Sequence, residues 1–144
     1  MPHHLIRVVG ALLALSLAAV ACSDSSDYVY VSPASVEEID AGLWQIELTA
    51  RAAERTGVET AELAMENVGG TEQLTVPYSA VMYHFDGTTW TYTNPEPLIY
   101  VRAPIEIDFI DGDMAVLSDG PDVGTVVVSV GAAELYGVEF GIGK

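Results

Sequence analysis

The 144-residue sequence has few basic residues, few histidines and a single cysteine. Lysine and arginine together number 5 against 21 acidic residues, which gives a formal net charge of −16. Such an acidic chain repels phosphate groups, so nucleic acid is excluded as a partner. With 3 histidines and 1 cysteine, the chain also lacks the ligands of a zinc site and a nucleophile-base pair. The sequence therefore predicts a protein that is not an enzyme and that needs no metal and no cofactor.

An apolar run lies near the start of the chain. Arg7 precedes the run over residues 8–20, and small residues then lead to Cys22. This order is typical of a secretory signal peptide, and the run is short for a membrane span of about 20 residues. A helical anchor that is not cleaved is the alternative interpretation.

The lone cysteine ends the segment "AAVAC", which resembles the bacterial lipobox, although Ala19 stands where leucine is usual. An exported chain with one thiol cannot form an internal disulfide, so Cys22 is predicted to be a lipid-attachment residue. Acyl chains such as palmitate would then anchor the protein in the lipid bilayer. The sequence predicts a lipoprotein signal peptide over residues 1–21, a flexible tether over 22–35 and a domain over 36–144, on the extracytoplasmic face of the cell membrane. Cleavage leaves 4 basic residues against 21 acids, a net charge of −17.

The domain sequence is dominated by strand patterns. Trp44, Ile46 and Leu48 alternate with polar residues, and "VVVSV" near the end predicts an inner strand. Between them, Thr49 and Gly57 are suited to cap a short helix over "ARAAERT". The following segment predicts two strands joined at Gly69-Gly70, with a helix over residues 59–66 as the alternative. The predicted fold class is mostly β, a small β-barrel or sandwich of hairpins with one short helix.

Two further hairpins are predicted from Asp-Gly pairs. Asp111-Gly112 would place Phe109 opposite Met114, and the last segment, "GAAELYGVEFGIGK", is predicted to be an irregular tail. The aspartates that could supply oxygen ligands each lie at an expected turn near glycine, so a turn role is favoured over a cation site; they are Asp111, Asp113, Asp119 and Asp122.

The hairpin over "VMYHFDGTTWTY" supplies the candidate site. A type I′ turn at Asp86-Gly87 would pair Tyr83 with Trp90 and place the large rings on a buried face. The other face would then be open to water. Its predicted role is a partner surface, and its residues are Met82, His84, Thr89 and Thr91.

The order of these strands resembles a known family. "VPYSAV", "DGTTWTYT", "YVRAPIEI" and "DGDMAVLSDGPDVGTVVVSVGAAELYG" are similar to the membrane-proximal portion of periplasmic adaptor subunits, or membrane fusion proteins, of resistance-nodulation-division efflux pumps. "LTARAAERTGVET" resembles the barrel segment of the same family. Full adaptors also carry a lipoyl-like domain and a long helical hairpin, whereas Gly69-Gly70 joins the two matching pieces directly.

The resemblance implies a non-enzymatic accessory or binding subunit near a membrane transporter or another envelope protein. Its docking residues are not marked by any motif, so none is transferred. A small-ligand or cation-binding lipoprotein is the alternative hypothesis.

Overall fold

A computed structural model describes residues 30–142, and this part of the chain is mostly β, as predicted. It contains ten strands, two short helices and one 3₁₀ turn. The elements, in chain order, are β1 (Ala34–Asp40), β2 (Leu43–Leu48), α1 (Ala50–Thr56), β3 (Glu59–Glu62), β4 (Ala64–Val68), β5 (Thr71–Pro77), the 3₁₀ turn (Tyr78–Ala80), β6 (Met82–Tyr83), β7 (Thr89–Glu96), β8 (Ile99–Asp111), β9 (Met114–Asp119), β10 (Val126–Val130) and α2 (Ala132–Glu139).

The strands form one curled, half-barrel sheet. Its main path has the order β3-β10-β7-β8-β9-β5-β4, and β2 joins it by pairing with β8. Only Leu63 separates β3 from β4, although these strands stand at opposite ends of that order. The Leu63 N–H donates to the Thr125 carbonyl at 3.0 Å, and its own carbonyl accepts from Gly124 N–H at 2.8 Å. The two ends of the sheet are therefore brought together by continuous chain.

Two groups of buried side chains fill the domain. The first cluster lies among β5, β8, β9 and β10 and contains Leu63, Val76, Ala80, Val81, Ile105, Ala115, Leu117 and Val127. The second cluster lies among β2, β7, β8, β10 and α2 and contains Ile46, Leu48, Tyr92, Tyr100, Val128, Ala132 and Leu135. Strand β8 contributes Ile105 to the first cluster and Tyr100 to the second. Its early residues pair with β7 and β2, and its later residues pair with β9.

The local signals around α1 predicted its ends correctly. Thr49 accepts a hydrogen bond on Oγ1 from the Ala52 N–H at 3.2 Å, and Gly57 ends the helix in the left-handed conformation at φ 64°. The Gly69-Gly70 hairpin is also confirmed, with Val68 opposite Thr71 and φ positive at both glycines. Two positive φ values are what a type I′ turn requires, so glycine suits both positions.

The predicted register of the β6-β7 hairpin was wrong by one residue. Met82, and not Tyr83, lies opposite Trp90. The Gly87 N–H donates to the His84 carbonyl at 3.0 Å, and only Gly87 in this loop has a positive φ, of 87°. The turn is therefore centred on Phe85 and Asp86, and Gly87 takes the left-handed position of a three-residue hairpin loop.

Three other elements differ from the sequence prediction. Asp111 pairs with Met114 and Phe109 with Val116, because Gly112 and Asp113 form the turn, one residue later than predicted. Strand β1 begins at Ala34, inside the segment assigned to the tether. The predicted irregular tail contains α2, so the described chain has two helices where one was expected.

Replacing Gly87 with valine is expected to lower the free energy of unfolding by about 1–3 kcal/mol, because a β-branched residue is strained at positive φ. Urea unfolding followed by circular dichroism measures the change. Gly137→Ala is the matched control: Gly137 lies in α2 without a positive φ, and an added Cβ meets nothing within 4 Å. Equal midpoints for Gly87→Val and the parent would contradict the assigned loop conformation.

Candidate interaction site at the β6-β7 hairpin

The four residues of the predicted partner surface do not form one open face. The offset of one residue places Met82 and His84 on one side of the hairpin and Thr89 and Thr91 on the other, because side chains alternate along a strand. Thr91 is fully buried, and Met82 packs against the second cluster. Thr89 is half-buried, and its hydroxyl donates to the Ile105 carbonyl at 2.6 Å. The prediction of a water-facing surface made of these residues was therefore wrong.

Two large side chains of the hairpin that were assigned to the core are exposed. Phe85, in the loop, is 90% exposed and Tyr83, in β6, is 56% exposed, whereas Tyr92 is buried as predicted. At the end of α2, Phe140 and Ile142 are also exposed, at 45% and 67%. These two segments place large apolar side chains at the same end of the domain.

His84 links the hairpin loop to α2 through stacked rings. Its ring centroid lies 4.1 Å from that of Phe85 and 5.9 Å from that of Phe140. Tyr136, one turn earlier in α2, lies 4.5 Å from Phe140 and 6.1 Å from His84. We call His84, Phe85, Tyr136 and Phe140 the aromatic tip.

A buried ion pair fixes α2 beneath the aromatic tip. Arg102 Nε donates to Glu139 Oε1 at 2.6 Å, with side chains only 10% and 1% exposed. The second oxygen of Glu139 accepts from the Tyr92 hydroxyl at 2.6 Å. The Arg102 guanidinium also lies over the rings of Trp90, at 4.7 Å, and Phe140, at 5.3 Å. Both contacts are favourable cation-π geometries, and burial strengthens them.

Sequence reasoning missed this network because its members come from β7, β8 and a segment taken as an irregular tail. The sequence offered one signal: Glu139 follows an apolar segment, and the chain has very few basic residues that could pair with it. That signal does not identify Arg102 as the partner, since the two residues are brought together only by the packing of α2 on the sheet.

The hairpin loop carries a carboxylate that stays ionised. Asp86 Oδ1 accepts from the Thr88 hydroxyl at 2.6 Å and from the Thr88 N–H at 2.9 Å, and it lies 3.0 Å from His84 Nδ1. These contacts, the Thr88 hydroxyl first, lower the pKa of Asp86 to about 2. The loop therefore presents a negative charge directly beside the exposed Phe85 ring.

Tyr92 titrates far from its ordinary range. Burial raises the pKa of its hydroxyl, and the hydrogen bond to Glu139 raises it further. A raised pKa in the folded state contributes stability that is complete below the ordinary tyrosine pKa of about 10 and is lost as pH rises above it.

We therefore expect stability to fall above pH 10 by up to about 1.4 kcal/mol per pH unit for this one proton. Tyr92→Phe removes the titrating group, so its unfolding free energy falls less steeply with pH above 10 than that of the parent. Urea unfolding at several pH values between 9 and 11 measures the slope. Tyr30→Phe, at a 79% exposed position, is the control and keeps the parent slope. Parallel curves for Tyr92→Phe and the parent would rule out this linkage.

Other candidate sites offer fewer functional side chains. Among residues 30–142, no three His, Cys, Asp or Glu side chains are grouped as metal ligands. A shallow pocket is lined by Ala103, Pro104, Asp119, Gly120 and Pro121, none of which belongs to the aromatic tip. Cys22 lies outside the described residues. Within those residues, no helix is both long and apolar enough to cross a membrane.

Comparison with known proteins gives one structural similarity. No protein family matches the chain, and no curated protein matches it by sequence. The fold is similar to the NMR structure of a 180-residue part of SilB from Cupriavidus metallidurans, which encompasses the N-terminal metal-binding site and the membrane-proximal domain. The identity is 23%, the TM-score is 0.46, and the match covers 58% of this chain. It spans about half, 48%, of the SilB chain.

Proposed function

We propose that this protein is a membrane-anchored extracytoplasmic lipoprotein whose β-domain, similar to that of an efflux adaptor, is a non-enzymatic binding or accessory subunit near a membrane transporter. The proposal is supported by the order of the strand segments, which resembles that of the membrane-proximal portion of periplasmic adaptors. In this chain Gly69-Gly70 joins β4 directly to β5, and the two strands form five residue pairs.

That direct connection limits where the domain acts. Adaptors place a lipoyl-like domain and a helical hairpin between the two matching pieces, and those parts reach an outer channel. A chain that replaces them with a two-residue turn binds close to its own anchor. Its contacts with a partner are then made by the β-domain.

The anchor is tested by Cys22→Ser, which removes the only thiol of the chain. We expect the variant to move from the membrane fraction to the soluble or secreted fraction, because acyl chains on Cys22 supply the attachment. Cell fractionation followed by immunoblotting measures the distribution, and Ser23→Ala is the control that stays with the membrane. Unchanged membrane partition of Cys22→Ser would refute the lipoprotein assignment.

The partner is tested by placing a photo-crosslinking amino acid at exposed positions spread over the domain. Suitable positions are Met65, Tyr83, Phe109 and Val123, which are 40–58% exposed. The proposal expects an integral membrane transporter or envelope protein in the adducts from at least one position. Capture of a soluble enzyme or a cell-wall polymer instead, or tight binding of a small ligand by the purified protein with no protein adduct, would contradict it.

A further inference from the structure

We propose that the aromatic tip docks into an apolar pocket rimmed by lysine or arginine on an extracytoplasmic protein. The inference rests on the proposed function and deepens it, because it names the docking face and the chemistry of the surface that receives it. It replaces the partner surface predicted from the sequence, whose residues are partly buried.

The first argument is the concentration of exposed aromatic surface at one end of the domain. Phe85 and Phe140 are 90% and 45% exposed, and the His84 ring lies between theirs. Phe85 is more exposed than any other large hydrophobic residue of the described chain. A contiguous apolar patch of this kind marks an interaction site, and aromatic side chains are the usual energetic centre of a protein interface.

The second argument is that the tip is held in place before any partner arrives. Phe140 follows directly on Glu139, which is fixed by Arg102 and Tyr92, and its ring lies over the same guanidinium. His84 then connects the loop to α2, because its ring packs against both Phe140 and Phe85. A surface that is already ordered loses little conformational entropy on binding.

The third argument concerns charge. Asp86 adjoins Phe85, and its carboxylate holds a pKa of about 2, so it is ionised at every physiological pH. Arg51, Arg55 and Arg102 are the only arginines or lysines among residues 30–142, and Arg102 is occupied by Glu139. The tip is thus an apolar patch with a negative neighbour, and a pocket with a basic rim is its electrostatic complement.

A bilayer is a poor occupant for this surface. Inserting the tip would take the ionised Asp86 carboxylate out of water, which is costly. Pro33, just before β1, lies at the other end of β7, where the Thr49 N–H donates to the Pro33 carbonyl and the Leu48 N–H to the Leu98 carbonyl. The 8 residues of β7 separate the two ends by roughly 26 Å at 3.3 Å per residue.

A second copy of the chain is also disfavoured. Two-fold pairing of the tips would place the two Asp86 carboxylates close together, between domains that both carry a large negative charge. Like charges that face each other across an interface repel, so this pairing is unfavourable.

The test places p-benzoylphenylalanine at Phe85 in the full chain in cells, with Phe109 as the matched control. Phe109 is also an exposed phenylalanine, at 40%, but it lies in β8 outside the tip. We expect the Phe85 position to give at least ten times more adduct with one membrane-associated protein. The crosslinked peptide of that protein should contain apolar residues and lysine or arginine. Adding Asp86→Lys should reduce the adduct at least tenfold, and Asp86→Asn should reduce it several-fold.

The outcomes separate the two proposals. Protein adducts from Phe109 or other faces but not from Phe85 would overturn the docking inference and leave the proposed function standing, whereas no membrane-protein adduct from any position would overturn both. Adducts of Phe85 with lipid, or with a second copy at twice the mass, would also overturn the inference. An Asp86→Lys variant that crosslinks as well as its parent would exclude a basic rim. Unfolding curves for each variant show that a lost adduct is not a lost fold.

Discussion

Replacing Glu139 with leucine is expected to lower the free energy of unfolding by about 3–5 kcal/mol. The Glu139 side chain is only 1% exposed, so its removal leaves the Arg102 guanidinium buried without a counter-charge. It also removes the acceptor of the Tyr92 hydroxyl, which is likewise buried. Urea unfolding measures the loss, and Glu134→Gln, an exposed change in the same helix, is the control that stays within about 0.5 kcal/mol of the parent.

A double-mutant cycle with Arg102→Met separates the ion pair from the packing of α2. The double variant replaces both charges with apolar groups, so much of the loss caused by Glu139→Leu is expected to be recovered. Fully additive losses in the double variant would mean that the two side chains do not interact. A Glu139→Leu variant as stable as Glu134→Gln would contradict the buried network itself.

Truncating Leu63 to alanine is expected to lower the free energy of unfolding by about 2–5 kcal/mol. Leu63 is 1% exposed in the first cluster, and its backbone joins β3 to β4 at the place where the sheet closes on itself. The neighbouring structure is tied by two backbone hydrogen bonds from Leu63 to Gly124 and Thr125, so it relaxes little into the cavity.

Met65→Ala is the matched control for that variant, because Met65 lies two positions further along the same chain segment and is 46% exposed. Thermal unfolding of the two variants beside the parent makes the comparison. The control should remain within about 1 kcal/mol of the parent, as expected for a partly exposed side chain. Equal losses for Leu63→Ala and Met65→Ala would show that Leu63 is not a core residue.

The elements predicted correctly from the sequence are those whose determinants are close along the chain. The cap at Thr49, the end at Gly57 and the turn at Gly69-Gly70 each depend on a few neighbouring residues, and the structure contains all three. The mostly β fold class followed from the alternation of apolar residues, which is also a local property.

The candidate site was not predictable in the same way. Asp-Gly is compatible with both a two-residue and a three-residue hairpin loop, and the choice between them moves every side chain of β6 to the other face. Helix α2 was missed because Gly131 gives it no side-chain cap and Gly137 interrupts it. What stabilises α2 is tertiary: the burial of Leu135 and the pairing of Glu139 with Arg102.

The contact of His84 with Phe140 also determines when the aromatic tip forms during folding. The hairpin loop and α2 lie far apart along the sequence, so the tip forms only when α2 packs on β7 and β8. A partner that recognises it would thereby distinguish folded from unfolded copies of the protein, without contacting the buried core.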